Sequence, residues 1–355
     1  MSVKSAMRAA ARRLVLSLVP EGSAASRAEL TALADRLGVM ELNVKAFGYE
    51  LARRLTEALP VPPRTEPRHV GLRWKPSTQD DIESAWARHW IAELGTPIIY
   101  HRKIWELAYV LQAIWEGGHI APGARGLGFG CGVEPIASYL ASQGVAATVT
   151  DQPQERARAA GWVATNQHAG ALDQAFHPHL VERAEFDRLV RWEAVDMNAI
   201  PPSLRGYDFC WSICAMEHLG SIDKGLAFVE RAMEVLRPGG LAVHTTEFDI
   251  RPDGPTWDNA GTVLFQRAHL ERLASRLRSA GHRVAELDFD IGDKPLDRFI
   301  DVPPWTHEMP AELARWMGEP LHLKIAIGGF VMTCFGLIAV KGGDVSAAAG
   351  PLQGP

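Results

Sequence analysis

The chain has 355 residues, of which 47% are hydrophobic and 22% are charged, a balance typical of soluble globular proteins. Its net charge of −5 argues against a nucleic-acid partner, because binding phosphates requires a basic surface. Its apolar runs are all shorter than the ~20 residues that cross a bilayer, and its four cysteines form no CxxC pair. We therefore predict a cytoplasmic protein with reduced thiols and without a transmembrane segment.

Residues 1–60 are predicted to form a helical N-terminal region, because apolar residues such as Leu30, Leu33 and Leu37 recur at helical spacing. Two roles are open for this region: it could join two subunits into a homodimer, or it could cover a binding pocket. The stretch PVPPRTEP that follows indicates a linker. Residues 61–120 are predicted to contain this linker and two helices that lead into the core, at residues 79–95 and 101–117.

Strands and helices alternate from residue 121 onward. Seven strands are predicted, over residues 126–130, 146–151, 191–197, 207–215, 241–248, 282–290 and 328–341. Helices are predicted between them, over residues 134–144, 224–240 and 264–281. This alternation is typical of an α/β protein with a Rossmann-like, mostly parallel sheet, and we expect the last strand to be antiparallel. The core domain then spans residues 121–341 with an insertion at about 291–327, and residues 342–355 are expected to be a disordered tail.

The stretch GLGFGCG at residues 126–132 indicates a ligand site at the turn between the first core strand and the first helix. Glycines there allow the backbone to approach a ligand closely. Asp151, at the end of the second strand, is placed to accept hydrogen bonds from ribose hydroxyls. The dinucleotide pattern GxGxxG is absent, and Glu134 would repel a pyrophosphate. A nucleoside with a cationic end and no phosphate, such as S-adenosylmethionine, would suffer no such repulsion.

These motifs resemble those of the class I S-adenosylmethionine-dependent methyltransferases. The resemblance rests on GFGCG, Asp151, the pair Asp196-Met197, the stretch YDFCWSICAMEHLG and LRPGG, in that order along the chain. Where the family usually carries an acid before the glycine loop, this chain has Gly128, and Glu134 is the residue that could replace that acid. HRKIWE and HTTEF also resemble bacterial methyltransferases encoded near glycan-assembly genes. The resemblance implies S-adenosylmethionine as cofactor, bound by Gly128, Gly130, Gly132, Glu134, Asp151, Asp196, Met197 and Cys214.

Methyl transfer to a hydroxyl benefits from a general base, and two residues at strand ends are candidates, Glu247 and His218. The acceptor is expected to be a small molecule or a glycan. Candidate acceptor-binding residues lie on the fifth core strand, in the insertion and at the start of the helix that precedes the first core strand: His244, Trp305, His307, His322 and Arg102. The spacing of these histidines matches no metal motif, so no metal site is predicted.

Two other functions remain open at this point. A nonenzymatic S-adenosylmethionine-binding protein, regulatory or scaffolding, would carry the same cofactor motifs. An NAD(P)-dependent oxidoreductase would use the same kind of sheet, although the missing GxGxxG pattern argues against it.

Overall fold

A computed structural model describes three stretches of the chain, residues 24–59, 66–152 and 171–343. The predictions for the first part of the N-terminal region, most of the proline-rich linker and most of the tail lie outside these stretches. Among the described helices, none combines the length and the apolar character needed to cross a bilayer.

One long helix and three shorter ones precede the core strands. The elements of this part are α1 (Ala24–Ala58), β1 (Lys75–Pro76), α2 (Gln79–Glu83), α3 (Ala85–Glu93) and α4 (Arg102–Glu116). The helix predicted over residues 79–95 is divided at Ser84, whose extended backbone ends α2 and whose hydroxyl accepts a hydrogen bond from the Ala87 N–H at 3.3 Å. Ser84 therefore acts as the N-cap of α3.

The core elements follow in the alternating order that the sequence predicts. They are β2 (Arg125–Phe129), α5 (Ile136–Ser142), β3 (Ala146–Asp151), α6 (Arg183–Leu189), β4 (Val190–Ala194), β5 (Tyr207–Ile213), α7 (Ile222–Ala232), β6 (Leu236–Asp249), α8 (Arg267–Ser279), β7 (Arg283–Val284), α9 (Pro295–Arg298), β8 (Ile300–Asp301), α10 (Ala311–Met317), β9 (Lys324–Ile327) and β10 (Phe330–Val340).

The described strands form one sheet with the order β4-β3-β2-β5-β6-β10-β9-β8, and β1 and β7 also pair with β10. The pairs from β4 to β6 are all parallel, whereas β10 lies antiparallel to β6, with Met332 opposite Asp249 and Val340 opposite Leu241. The Rossmann-like sheet and its antiparallel last strand are thus confirmed. The described sheet has ten strands rather than seven, because β8 and β9 come from the insertion and β1 comes from the segment before the core.

Two predicted elements are much shorter in the structure than the sequence indicates. The strand predicted over residues 282–290 contains only Arg283 and Val284, because the chain then leaves β10 and exchanges hydrogen bonds with Trp74. The helix predicted over residues 224–240 ends at Ala232, and the chain enters β6 before the Pro-Gly-Gly turn that was expected to separate them.

Helix α4 positions several side chains of the site. It packs on β5, β6 and β10, and all of its residues from Trp105 to Ile114 are buried. The side chain of His101 caps its N-terminus by accepting a hydrogen bond from the Lys103 N–H at 3.0 Å. The first turn of α4 therefore starts at a fixed point beside the carboxyl ends of the central strands.

Candidate functional site

A cavity of about 620 Å³ lies at the carboxyl ends of the parallel strands. Its walls are the first turns of α4, the turn after β2, the residues that follow β3, β4 and β5, and Glu247 of β6. In open α/β sheets ligands bind at this edge of the sheet. The position of the cavity therefore agrees with the site that the glycine stretch and Asp151 predict.

The turn after β2 brings bare backbone to the cavity. Gly130 and Gly132 line it and have positive φ angles of 59° and 52°, a conformation that residues with a Cβ atom rarely adopt. A Cβ atom on Gly130 would lie 2.8 Å from the Cβ of Ala215. The Cys131 N–H donates a hydrogen bond to the Thr150 carbonyl at 3.0 Å, which ties the turn to β3.

Gly128, predicted to bind the cofactor, does not line the cavity. A Cβ atom at this position would lie 2.3 Å from the Cys131 sulfur and 2.4 Å from the Trp211 ring. The glycine is therefore required by packing beneath the turn, and its contact with the cofactor stays a prediction.

Residues at the ends of β3 and β4 form a second wall. Asp151 ends β3 and is 7% exposed, and its carboxylate accepts a hydrogen bond from the Gln152 N–H at 2.7 Å. Asp196 and Met197 follow β4, and the Asp196 carboxylate accepts a hydrogen bond from the Asn198 N–H at 2.9 Å. The structure thus brings these three predicted cofactor residues to the same cavity as Gly130.

The start of α4 contributes two cations and a carboxylate. Arg102 forms an ion pair with Glu247. The Lys103 ammonium lies between two carboxylates, 3.3 Å from Glu106 and 3.6 Å from Glu134. Glu106 also accepts hydrogen bonds from the Thr245 hydroxyl at 2.6 Å and from the Cys214 thiol at 2.7 Å.

Sequence reasoning missed Lys103 and Glu106. The signal that could have found Glu106 is a single glutamate in the otherwise apolar run IWELAYVL of a helix predicted to be buried, because buried charges require partners.

Several carboxyl groups in the cavity have raised pKa values. Burial raises the pKa of Glu134 to about 8, although Lys103 acts in the opposite direction. Burial, with the neighbouring carboxylate of Glu247, raises the pKa of Glu217 to about 8. Burial also raises the pKa of Glu247, against the effect of Arg102. One oxygen of each of these three carboxyl groups is buried and has no hydrogen-bond partner among the described residues.

His218 lines the cavity in its neutral form. Its Nδ1 lies 3.0 Å from the Gly261 carbonyl and 3.1 Å from the Thr262 hydroxyl. A carbonyl can only accept, so Nδ1 donates and Nε2 is the basic nitrogen of this tautomer. Burial lowers the pKa of His218 to about 4. As a base at neutral pH, His218 is therefore weaker than Glu247.

Cys214 follows β5 with a positive φ angle of 45° and lines the cavity; its predicted contact with the cofactor stays a prediction. Its sulfur belongs to two sets of potential metal-ligand atoms, one with Glu217 and Glu247 and one with Glu106 and Cys334; within each set the atoms lie within 4.8 Å of one another. Burial raises the pKa of the Cys214 thiol, and Glu247 is already paired with Arg102. A metal cation would require a thiolate at Cys214 and a free carboxylate at Glu247. The raised pKa disfavours the thiolate, and the ion pair with Arg102 occupies the carboxylate.

Four predicted acceptor-binding residues lie outside the cavity wall. His244 is 1% exposed on the side of β6 that faces α7, where its Nδ1 lies 2.8 Å from the Ser212 hydroxyl. His322 lies 2.7 Å from the Asp301 carboxylate, with Trp305 against its ring, and His307 is exposed on a short 3₁₀ turn.

The local sequence could not reveal these positions. The carboxylate of Asp301 also binds Lys45 and Tyr49 of α1, so His322 joins the insertion to the N-terminal helix. His322 contacts two residues of the cavity wall: its ring lies 4.8 Å from that of His101 between centroids, and its carbonyl accepts a hydrogen bond from the Arg102 N–H at 3.2 Å.

No model of a known protein family matches the chain, and no curated protein matches its sequence. Three solved structures illustrate what the chain is similar to. A candidate sarcosine dimethylglycine methyltransferase from Galdieria sulphuraria shares 17% identity, with 66% of this chain and 83% of that chain covered and a TM-score of 0.41. The [4+2]-cyclase SpnF shares 17% identity, with 67% and 83% covered and a TM-score of 0.40.

The third structure is phosphoethanolamine N-methyltransferase 2 of Haemonchus contortus, in complex with phosphomonomethylethanolamine and S-adenosylhomocysteine. It shares 17% identity, with 66% of this chain and 52% of that chain covered and a TM-score of 0.40. At these scores, function has to be inferred from the residues of the cavity itself.

Proposed function

We propose that this protein is an S-adenosylmethionine-dependent methyltransferase that methylates a hydroxyl group of a small molecule or glycan. The observation that carries the proposal is the convergence of the glycine turn at Gly130, of Asp151 and of Asp196 on one cavity at the carboxyl edge of the sheet. A turn without side chains leaves room for an adenosyl group. The carboxylate of Asp151 can accept hydrogen bonds from ribose hydroxyls, and that of Asp196 can accept one from an adenine amino group.

The charge of the cavity supports a cationic ligand over a phosphorylated one. Among the described residues, the lining includes six carboxyl side chains, Glu106, Glu134, Asp151, Asp196, Glu217 and Glu247, two cationic side chains, Arg102 and Lys103, and two histidines, His101 and His218. Glu134 and Glu217, with pKa values of about 8, are mostly protonated at neutral pH in the ligand-free protein. The other four carboxyl groups still outnumber the two cations, so the lining repels a diphosphate and attracts a sulfonium and an ammonium group. The buried, unpartnered oxygen of Glu134 fits an ammonium group, which would supply the missing hydrogen-bond donor.

We assign the parts of the cofactor to these residues as follows. Asp151 would hold the ribose diol, Asp196 and Met197 the adenine, and Glu134 the ammonium group of the methionine end. When bound, the cofactor supplies an electrophilic methyl group on its sulfonium sulfur. The chain itself then has to hold the acceptor hydroxyl in line with that methyl group and to exclude water.

We assign the role of general base to Glu247. Arg102 binds one of its oxygens and fixes its orientation. The other oxygen, which is buried and has no hydrogen-bond partner among the described residues, would take the hydroxyl proton. Burial raises the pKa of Glu247, which makes its carboxylate a stronger base than an exposed one. His218, with a pKa of about 4, would serve as a hydrogen-bonding group beside the acceptor.

Calorimetry tests this function directly. We expect S-adenosylmethionine and S-adenosylhomocysteine to bind, and NAD⁺ and NADP⁺ not to bind; the reverse result would sink the proposal in favour of an oxidoreductase. Mass spectrometry of glycan and metabolite extracts incubated with the protein should then reveal a product heavier by one methylene unit. Cofactor binding without any product across such extracts would favour the nonenzymatic alternative. The cytoplasmic location stays a prediction.

A further inference from the structure

Helix α1 carries a continuous apolar stripe on its exposed side. Seven apolar residues, spaced alternately by three and four positions, form this stripe, which we call the heptad seam: Leu30, Leu33, Leu37, Met40, Val44, Phe47 and Leu51. Their exposed fractions run from 38% at Leu51 to 76% at Phe47. An apolar repeat with an average spacing of 3.5 residues is the pattern of a helix that pairs with another helix.

Only the C-terminal half of α1 is supported by the rest of the described chain. Lys45, Tyr49 and Ala52 are buried there, and the Phe299 ring fills the space beside Gly48. In contrast, none of residues 28–44 is buried. Because most of the stability of a helix in a protein comes from packing its amphipathic face, the N-terminal half requires a partner on the heptad seam.

We propose that this partner is the heptad seam of a second copy of the chain, in antiparallel orientation. An antiparallel arrangement centred near residue 42 places Leu33 opposite Leu51 of the second copy, Leu37 opposite its Phe47, and Met40 opposite its Val44. Each of these pairs occurs twice by symmetry, so six of the seven seam residues find apolar partners. Such an isologous contact closes on itself as a dimer.

The positions that flank an antiparallel seam face each other. In this register Arg36 of one copy meets Glu50 of the other twice, whereas Glu29 meets Glu57 twice and Glu41 meets Glu41 once. The apolar pairs, and not the flanking charges, therefore carry the arrangement. Glu50 already accepts a hydrogen bond from Arg54 of its own chain at 2.8 Å, so its carboxylate is fixed on the surface of α1. Asn43 would meet Asn43 of the second copy at the symmetry axis, where two amides can exchange hydrogen bonds.

The antiparallel orientation also gives each helix a packed surface along its whole length. In this orientation, the unsupported N-terminal half of each α1 packs along the C-terminal half of the other α1, which is anchored to its core. A parallel pair could also match charges, between Arg36 and Glu41, but it would join the two unsupported halves to each other. Pairing through α1 is independent of the chemistry of the cavity.

The oligomeric state of the full chain tests the proposal. We expect a dimer by sedimentation equilibrium, and we expect Leu37→Glu and Met40→Glu each to raise the dimer dissociation constant at least tenfold, because each buries a carboxylate in an apolar seam. Val39→Glu is the matched control, since Val39 is 58% exposed on α1 but lies off the seam. An unchanged melting temperature of the core would show that the variants fold.

The orientation is tested by disulfide formation between variants that each carry one introduced cysteine on α1; the four native cysteines lie elsewhere in the chain, and three of them are buried. When Leu33→Cys protein is mixed with Leu51→Cys protein and oxidised, an antiparallel dimer yields the mixed disulfide, whereas a parallel dimer yields only the two homodisulfides. The parallel result would overturn the orientation. A monomer at all concentrations would overturn the whole proposal and would point to residues 1–23 of the same chain as the occupant of the seam.

Discussion

Arg102, the first residue of α4, forms an ion pair with Glu247 near the end of β6. The two residues are 145 positions apart in the sequence, and their contact joins the helix that precedes the core to the strand that borders β10. Because the guanidinium binds one carboxylate oxygen, the other oxygen is oriented by the same contact. The pair therefore sets the orientation of Glu247, the proposed base.

Replacing Glu247 by Gln should lower kcat by ~10²–10⁴-fold, because the amide cannot accept the hydroxyl proton. The affinity for S-adenosylhomocysteine should stay within about twofold. The measurement is single-turnover methyl transfer together with calorimetry. Glu271→Gln, on the exposed surface of α8, is the control and should leave both quantities unchanged. Full activity of the Glu247 variant would remove this residue from the role of base.

Replacing Asp151 by Ala should weaken cofactor binding by ~1–3 kcal/mol, the usual value of charge-assisted hydrogen bonds. Calorimetric titration with S-adenosylhomocysteine measures the change. Asp187→Ala is a suitable control, since its carboxylate forms an exposed ion pair with Arg183 on α6 and no other ion pair within the described part of the chain. Equal affinities of the two variants would show that Asp151 makes no contact with the ligand.

The pKa of Glu134, raised to about 8 by burial, predicts a pH dependence of cofactor binding. Below pH 8 the carboxyl group is mostly protonated in the ligand-free protein, and it must lose its proton to pair with a cation. Binding should therefore release a proton, and the affinity should rise with pH until about pH 8.

Calorimetry in buffers of different ionisation enthalpy would count the released protons. The variant Glu134→Gln separates this effect from titration of the ligand itself. It should keep only the ligand's own pH dependence and should lose the proton release that Glu134 contributes. Identical pH profiles for the two proteins would exclude Glu134 from the cation site.

The two loop glycines should respond differently to alanine. Gly128→Ala should lower the free energy of unfolding by ~1–3 kcal/mol through overpacking against Cys131 and Trp211. Gly130→Ala should chiefly weaken cofactor binding, because its positive φ and its closeness to Ala215 force the turn to shift. Chemical denaturation and calorimetry measure the two effects.

Gly343→Ala is the control for both glycine variants, since a Cβ atom there meets nothing within 4 Å. A loss of affinity without a loss of stability in Gly128→Ala would contradict the packing role of Gly128.

The sequence by itself determined the α/β class, the position of the glycine turn and the two acids at the ends of β3 and β4. It predicts the strand at residues 146–151 with the bounds that the structure has. The sequence could predict these features because hydrophobic periodicity and turn residues are local properties of the chain. In addition, parallel strands all present their carboxyl ends at one edge of the sheet. Asp151 and Asp196 therefore come together by topology alone.

Only the tertiary structure decided which charges meet in the cavity. It placed Lys103 between Glu106 and Glu134, paired Arg102 with Glu247, and left His322 in a separate cluster with Asp301. These contacts depend on how α4 and the insertion pack against the sheet. Hydrophobic periodicity fixes which face of an element is buried, but not which polar group of a distant element it will meet.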